Sequence, residues 1–336
     1  MKRRLQYKAM DSLIFAINAV APIVILVAIG YILKRIGFVS QSFAKAANKL
    51  VFHVFLPTTL FLNIYNINDT SGIDLVFFGY ATISILIIFI VTAILVMPMT
   101  KRGDRRGVLL QTSFRSNYTL IGVPLAVFLC GNDGGVIATL LSALVVPYLN
   151  VLSVISYSIY QDGKKPSVKK IIIGIIKNPL IQGIALGTVL LAVRMWLSDK
   201  GINFALQDIK PLYAVLGYLS DLSTPMALLM LGAQFDFAAV PALRREIILG
   251  VAMRSFIVPF VGIGAAYLIF GSQFQGAHYA SFIALFATPL GVSSVPMAQE
   301  MGADHTLAGQ LVAWTALFSV VPLFLAAFLL RMAGIF

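Results

Sequence analysis

Ser113-Phe114-Arg115-Ser116-Asn117-Tyr118-Thr119-Leu120-Ile121-Gly122-Val123-Pro124 sits in the middle of an apolar run long enough to cross a bilayer. It gathers small, polar and helix-breaking residues where an unbroken span would carry aliphatic ones. A second stretch, Ala287-Thr288-Pro289-Leu290-Gly291-Val292-Ser293-Ser294-Val295-Pro296, does the same further along the chain. Proline removes a backbone donor and breaks the helix. Free backbone polar groups at membrane depth are tolerated only where protein or a water-filled cavity satisfies them. Both stretches are therefore expected to unwind and expose half-helix ends, whose N-termini attract anions.

The prolines around these breaks reveal an internal repeat. Pro22 pairs with Pro179, Pro57 with Pro225, Pro124 with Pro296 and Pro147 with Pro322, at offsets of 157, 168, 172 and 175 residues. Val123-Pro124-Leu125-Ala126 matches Val295-Pro296-Met297-Ala298, and Val145-Val146-Pro147 matches Val320-Val321-Pro322. The unit holds five spans, and an odd number inverts the second copy in the membrane. Inverted repeats mark secondary transporters, with substrate near the midplane between the broken segments. Pro22, Pro147, Pro179 and Pro322 themselves read as kinks.

Composition agrees. The 336 residues are 59% hydrophobic and only 11% charged, against about 25% charged in a soluble domain. Such a chain cannot cover itself with a water-facing surface. A cytosolic enzyme, a nucleic-acid-binding module and a disulfide scaffold are all excluded, the last because Cys130 has no partner. The expected fold is an all-α polytopic membrane protein with ten spans near 12–33, 46–65, 73–98, 107–130, 134–160, 171–197, 210–233, 241–270, 276–300 and 306–332. Residues 1–160 form the first repeat and 161–336 the second. The first run exceeds the 7 to 15 residues typical of a signal-peptide core, so it is read as a span. Apart from the termini, the loops after odd-numbered spans carry 14 basic residues and those on the opposite side 3. This places both termini outside, although the basic N-terminal segment pulls the other way.

The string Phe114-Arg115-Ser116-Asn117-Tyr118, followed by Gly122-Val123-Pro124-Leu125-Ala126, resembles the auxin efflux carrier family of membrane transport proteins. The 287–294 string and the five-plus-five arrangement are similar too, so the resemblance covers nearly the whole chain. It implies a scaffold of spans 1, 2, 6 and 7 (12–65 and 171–233) and a mobile domain of spans 3–5 and 8–10 (73–160 and 241–332). It further implies that spans 4 and 9 cross at their breaks, with an organic anion bound beside the crossing and an elevator-like alternation of access. Against plant members, the chain has no long hydrophilic loop after span 5, only Gln161 to Lys170. A bacterial metabolite carried across an inner membrane fits better than a hormone.

The expected substrate residues are Asn117, Arg115, Tyr118, Gly122 and Pro124 from the first break, with Thr288, Pro289, Gly291, Ser293 and Ser294 opposite. Intramembrane arginines are costly and functional by default. Arg115 or Arg254 could neutralise a carboxylate; the bland alternative is that Arg115 snorkels to the interface. Lys177 reads as snorkelling. His53 and Asp221 each precede a repeat-matched proline by four residues, so they could relay a proton or form a structural polar pair. Gly183 and Gly187 make a small-residue stripe for helix packing, and a homodimer is expected. No nucleophile, phosphate-loop or metal-ligand signature occurs, and neither enzymatic activity nor a cofactor or metal is expected. Two alternatives stand beside an anion carrier. One is a sodium-coupled anion symporter on the bile-acid-carrier-like fold, using carbonyls and the hydroxyls of Thr288, Ser293 or Ser294. The other is a non-transporting membrane ligand sensor.

Overall fold

The computed structural model describes residues 2–67, 74–160 and 168–336. The beginning of span 3 and loop lysines Lys164 and Lys165 lie outside the described residues. The chain opens with α1 (Lys2–Arg35), α2 (Gln41–Leu50), α3 (Leu56–Tyr65), α4 (Leu75–Met99) and α5 (Gly103–Phe114). It continues through α6 (Val123–Ile159), α7 (Val168–Lys177), α8 (Pro179–Asp199), α9 (Lys210–Asp221) and α10 (Ser223–Gln234). The last elements are α11 (Val240–Ala252), α12 (Val258–Phe270), α13 (Gly276–Phe286), α14 (Ser294–Glu300) and α15 (His305–Met332). Among the described residues there is no strand, only one isolated antiparallel bridge. Among the described residues, six stretches are long and apolar enough to cross a membrane: Leu75–Met99, Tyr118–Ile159, Pro179–Asp199, Lys210–Gln234, Phe237–Phe270 and His305–Met332.

Helix α4 explains the composition. Phe78, Ala81, Ile85, Phe89, Thr92 and Val96 are buried along one face, while Ile83, Ile87, Ile90 and Ile94 stand exposed along the other. A helix apolar on every side suits lipid outside and protein inside. By contrast α13 is buried from Tyr279 to Phe286 without a break, so it runs through the middle of the protein.

Prolines shape the helices in a regular way. π-turns span Val51–Phe55, Tyr118–Gly122 and Met253–Ile257, and each stops one residue short of the residue preceding Pro57, Pro124 or Pro259. In all three the residue before the proline donates across the wider turn, Leu56 to Val51, Val123 to Tyr118 and Val258 to Met253. Proline supplies no N–H of its own, and the ladder accommodates it by adding a residue to the turn. Pro22, Pro147 and Pro322 lie inside helices α1, α6 and α15. Pro179 does more. It ends the expected 171–197 helix at Asn178, whose side chain accepts from the Leu180 N–H at 2.9 Å and caps a new helix, α8. Where the sequence reading expects a turn between 107–130 and 134–160, α6 is interrupted only at Cys130 and Gly131, and Gly131 takes φ 61°, which its missing Cβ allows.

Two sets of contacts organise the helices around the breaks. In one set, α13 packs on α6, and the Tyr80 hydroxyl of α4 donates to the Gly262 carbonyl of α12 at 2.5 Å. Arg105 of α5 donates to Glu246 of α11 at 2.9 Å and to Asp304, the N-cap of α15, at 3.0 Å. Beside it, a hydrogen bond from Arg102 holds the Asp104 carboxyl below the usual carboxylate range. In the other set, α1 packs on α10 and α3 on α8. Gly183 and Gly187 let α8 close on the Pro57 and Phe61 carbonyls, the packing role expected of that stripe. Thr59 donates to the Ser223 hydroxyl at 3.0 Å, tying α3 to α10 near Pro57 and Pro225.

Candidate functional site

The first break begins where α5 stops. Arg115 turns extended, with ψ 107°, and Asn117 follows at ψ 56° before the π-turn and α6 resume. The second runs from Ala287 to Ser293, around Pro289, which disfavours helical geometry in the residue before it and supplies no N–H to the ladder. The two interruptions meet. Ser116 and Leu290 form the antiparallel bridge, and the Asn117 N–H donates to the Pro289 carbonyl at 2.8 Å. Thr315 of α15 accepts from the Leu290 N–H at 3.1 Å. Tyr157 of α6 donates to Gln111 at 2.5 Å and to the Ser294 carbonyl at 3.2 Å, bracing both sides. Backbone freed by unwinding is thus re-bonded within the protein, as membrane depth requires.

Beside this meeting point lies a cavity of about 750 Å³. Six of the ten expected substrate residues line it: Arg115, Asn117, Tyr118, Pro124, Gly291 and Ser293. The other four serve the frame. Gly122 packs against Ala284, Thr288 donates back to the Ala284 carbonyl at 2.7 Å, and the carbonyls of Pro289 and Ser294 accept from Asn117 and Tyr157.

Arg115 does not snorkel. It is 4% exposed, and its guanidinium donates to the Asn150 side chain at 3.0 Å, the Ser293 hydroxyl at 2.6 Å and the Met297 sulfur at 3.1 Å. Every one of these partners is neutral, so among the described residues the charge has no ion-pair partner. Asn117 is 7% exposed and its Nδ2 has no hydrogen-bond partner among the described residues. Two donors, one of them charged, therefore border the same cavity. The opposite wall comes from α1, α3, α9 and α10, with Asn18, Thr59, Asn63, Ser220 and Asp221 among apolar neighbours.

Arg254 requires a correction. It does not line the cavity, and its guanidinium donates instead to the carbonyls of Thr288, Ser113 and Leu285. His53 and Asp221, expected from the sequence to be equivalent, do not meet either. His53 Nδ1 lies 2.9 Å from the Lys49 carbonyl and 3.9 Å from Glu300, whereas Asp221 faces the cavity. Near His53, Asn48 donates to Gln234 and Gln299, both at 3.3 Å, and Gln299 donates to the Lys45 carbonyl at 3.2 Å. These bonds join α2 to α10 and to α14, about two helical turns from the cavity residues of α3. Among the described residues no group of three His, Cys, Asp or Glu side chains is placed to hold a metal.

Sequence reasoning missed Asn150 and the asparagines of the far wall. The available signal was an amide inside an apolar span, costly unless bonded or facing water. Residues 15–326 match a family described as membrane transport protein. An uncharacterized transporter of Methanothermobacter thermautotrophicus is 22% identical over 316 residues, 91% of this chain and 95% of that protein. An uncharacterized transporter of Methanocaldococcus jannaschii is 26% identical over 122 residues, 35% of this chain and 39% of that one.

Proposed function

We propose, from the premise that this chain belongs to the auxin efflux carrier family of membrane transport proteins, that it is a secondary active transporter of a small organic anion. One observation carries the reading: a buried arginine without an acidic partner shares a cavity wall with an unpaired amide donor, where two broken segments meet. An anion supplies the missing charge and the missing acceptor together. Because the amide adds attraction without a second full charge, the site can still release its ligand.

Alternating access would use the two sets of contacts. Ten spans in two inverted repeats would put α4–α6 and α11–α15 in a mobile domain, which Arg105 with Glu246 and Asp304 helps to hold as one body. The α1–α3 and α7–α10 elements would be the scaffold. The bonds of Gln299, which accepts from Asn48 and donates to the Lys45 carbonyl, then act as a latch between them on the side of the basic loops. By the positive-inside rule that side is cytoplasmic, both termini lie outside, and a bacterial inner membrane fits. The proposal extends to a homodimer.

A thermal-shift screen of the purified chain against carboxylates, with and without sodium and at two pH values, tests the reading. A ligand that binds only the native state must raise its melting temperature. In Asn117→Ala the fold should persist, since the residue lies where the helix is already open. Affinity for a screened carboxylate should fall by about 1 to 3 kcal/mol. Wild-type affinity in that variant would place the anion elsewhere.

A proton-coupling role is assigned in this reading to Asp221, which lines the cavity, and not to His53, which lies beside Glu300. Uptake measured across a pH series should lose its pH dependence in Asp221→Asn and keep it in His53→Gln. The reverse pattern would return the coupling role to the histidine.

A further inference from the structure

Arg254 lies in the π-turn Met253–Ile257 and is 1% exposed, the largest side chain enclosed so completely. Its fork points at three backbone carbonyls and nothing acidic. Nε donates to Thr288 at 2.8 Å, Nη2 to Leu285 at 2.9 Å and Nη1 to Ser113 at 3.3 Å. Ser113 and Leu285 sit one residue before the ends of α5 and α13, and Thr288 lies in the second break. The last carbonyls of a helix have no intrahelical donor and carry about half a negative charge between them. Two such ends, from the two broken spans, converge on one side chain.

Converging carbonyls at half-helix C-termini are the ligand set that holds a coupling cation in transporters with discontinuous helices. Here a covalently attached cation occupies that position. Arginine keeps its charge when buried, and its planar fork reaches several acceptors at once, which a lysine ammonium does less well. Of the hydroxyls that a sodium ion would also use, Thr288 donates to the Ala284 carbonyl and Ser293 accepts from Arg115, while the Ser294 hydroxyl is buried with no partner among the described residues.

We propose that Arg254 is a tethered cation, a positioning residue that fixes the meeting of the two breaks in place of a diffusible ion, so that this junction takes up no sodium. The proposal does not depend on which ligand the cavity binds.

Thermal unfolding of the purified full-length chain tests it without any substrate. Wild-type protein should melt at the same temperature in sodium chloride and in N-methylglucamine chloride of equal ionic strength. Arg254→Ala should melt several degrees lower. Its melting temperature should climb saturably with low-millimolar guanidinium chloride, not with urea, while wild type gains nothing. Saturable recovery specific to guanidinium reports a vacated cation site, because ligand binding to the native state alone raises stability. A residue that merely filled space would leave a defect indifferent to the charge of the additive. If Arg254→Ala does not fold, Arg254→Lys and Arg254→Met decide: the lysine variant should be the more stable, since it keeps the charge. Saturable sodium stabilisation of wild type would overturn the proposal. So would an alanine variant blind to guanidinium, or a methionine variant as stable as the lysine one.

Discussion

Arg115→Gln is expected to lower affinity for a carboxylate substrate about 100-fold, roughly 3 kcal/mol, with the fold intact. Glutamine retains a donor but removes the charge, and the lost bond is a charge-assisted one in a buried setting. The unliganded variant should melt no lower than wild type. Arg115 holds its charge against Asn150, Ser293 and Met297, all neutral, so an empty site bears an uncompensated cation. Burying a charge without a counter-ion is costly, and its removal relieves that cost. Arg115→Lys should fall between the two, because one ammonium cannot reproduce the fork that reaches Asn150 and Ser293 together. Equilibrium binding and melting temperature, measured on the same preparations, check both halves. Wild-type affinity in Arg115→Gln would remove the arginine from the site. Lost affinity with a collapsed melting temperature would make its role structural.

The second large effect concerns the framework. Gly232 of α10 faces α1 so closely that an added Cβ would sit 1.9 Å from the Val27 carbonyl oxygen, and one on Gly30 would sit 2.0 Å from that of Leu229. The obstructing atoms are backbone on both sides, so no rotamer change can relieve them. Gly232→Val should destabilise the protein beyond about 3 kcal/mol, the upper end of ordinary overpacking, and leave little monodisperse material in size-exclusion chromatography. Gly217 of α9 provides the control. Nothing lies within 4 Å of its added Cβ. Gly217→Ala should therefore be neutral or raise stability by up to about 1 kcal/mol through helix propensity. Equal behaviour of the two variants would mean that α1 and α10 do not pack so closely.

Much of this architecture is legible locally. The breaks at 115–117 and 287–293 fall where polar, glycine and proline residues interrupt apolar runs. Whether a segment can close its own hydrogen-bond ladder depends on residues within about one turn. The turn at Cys130 and Gly131 and the packing role of Gly183 rest on similarly short-range signals. Reading Pro179 as a kink understates it, because Asn178, a ready N-cap, stands immediately before it.

The fates of the two arginines cannot be read this way. Arg115 and Arg254 look alike in sequence, each a lone cation inside an apolar span. Burial leaves both with too few local partners, and their acceptors come from remote segments: Ser293 lies 178 residues from Arg115, while Ser113 and Thr288 lie 141 and 34 from Arg254. His53 and Asp221 likewise look alike in sequence, each four residues before a proline, and are separated by their neighbours, Glu300 for one and the cavity for the other. From the amino-acid order alone come a polytopic helical chain, the places where its helices must open and the side chains costly enough to have a purpose. Tertiary packing alone decides which arginine meets carbonyls and which borders a cavity, because a long side chain's electrostatic partner is set by the groups that the fold brings within hydrogen-bond reach.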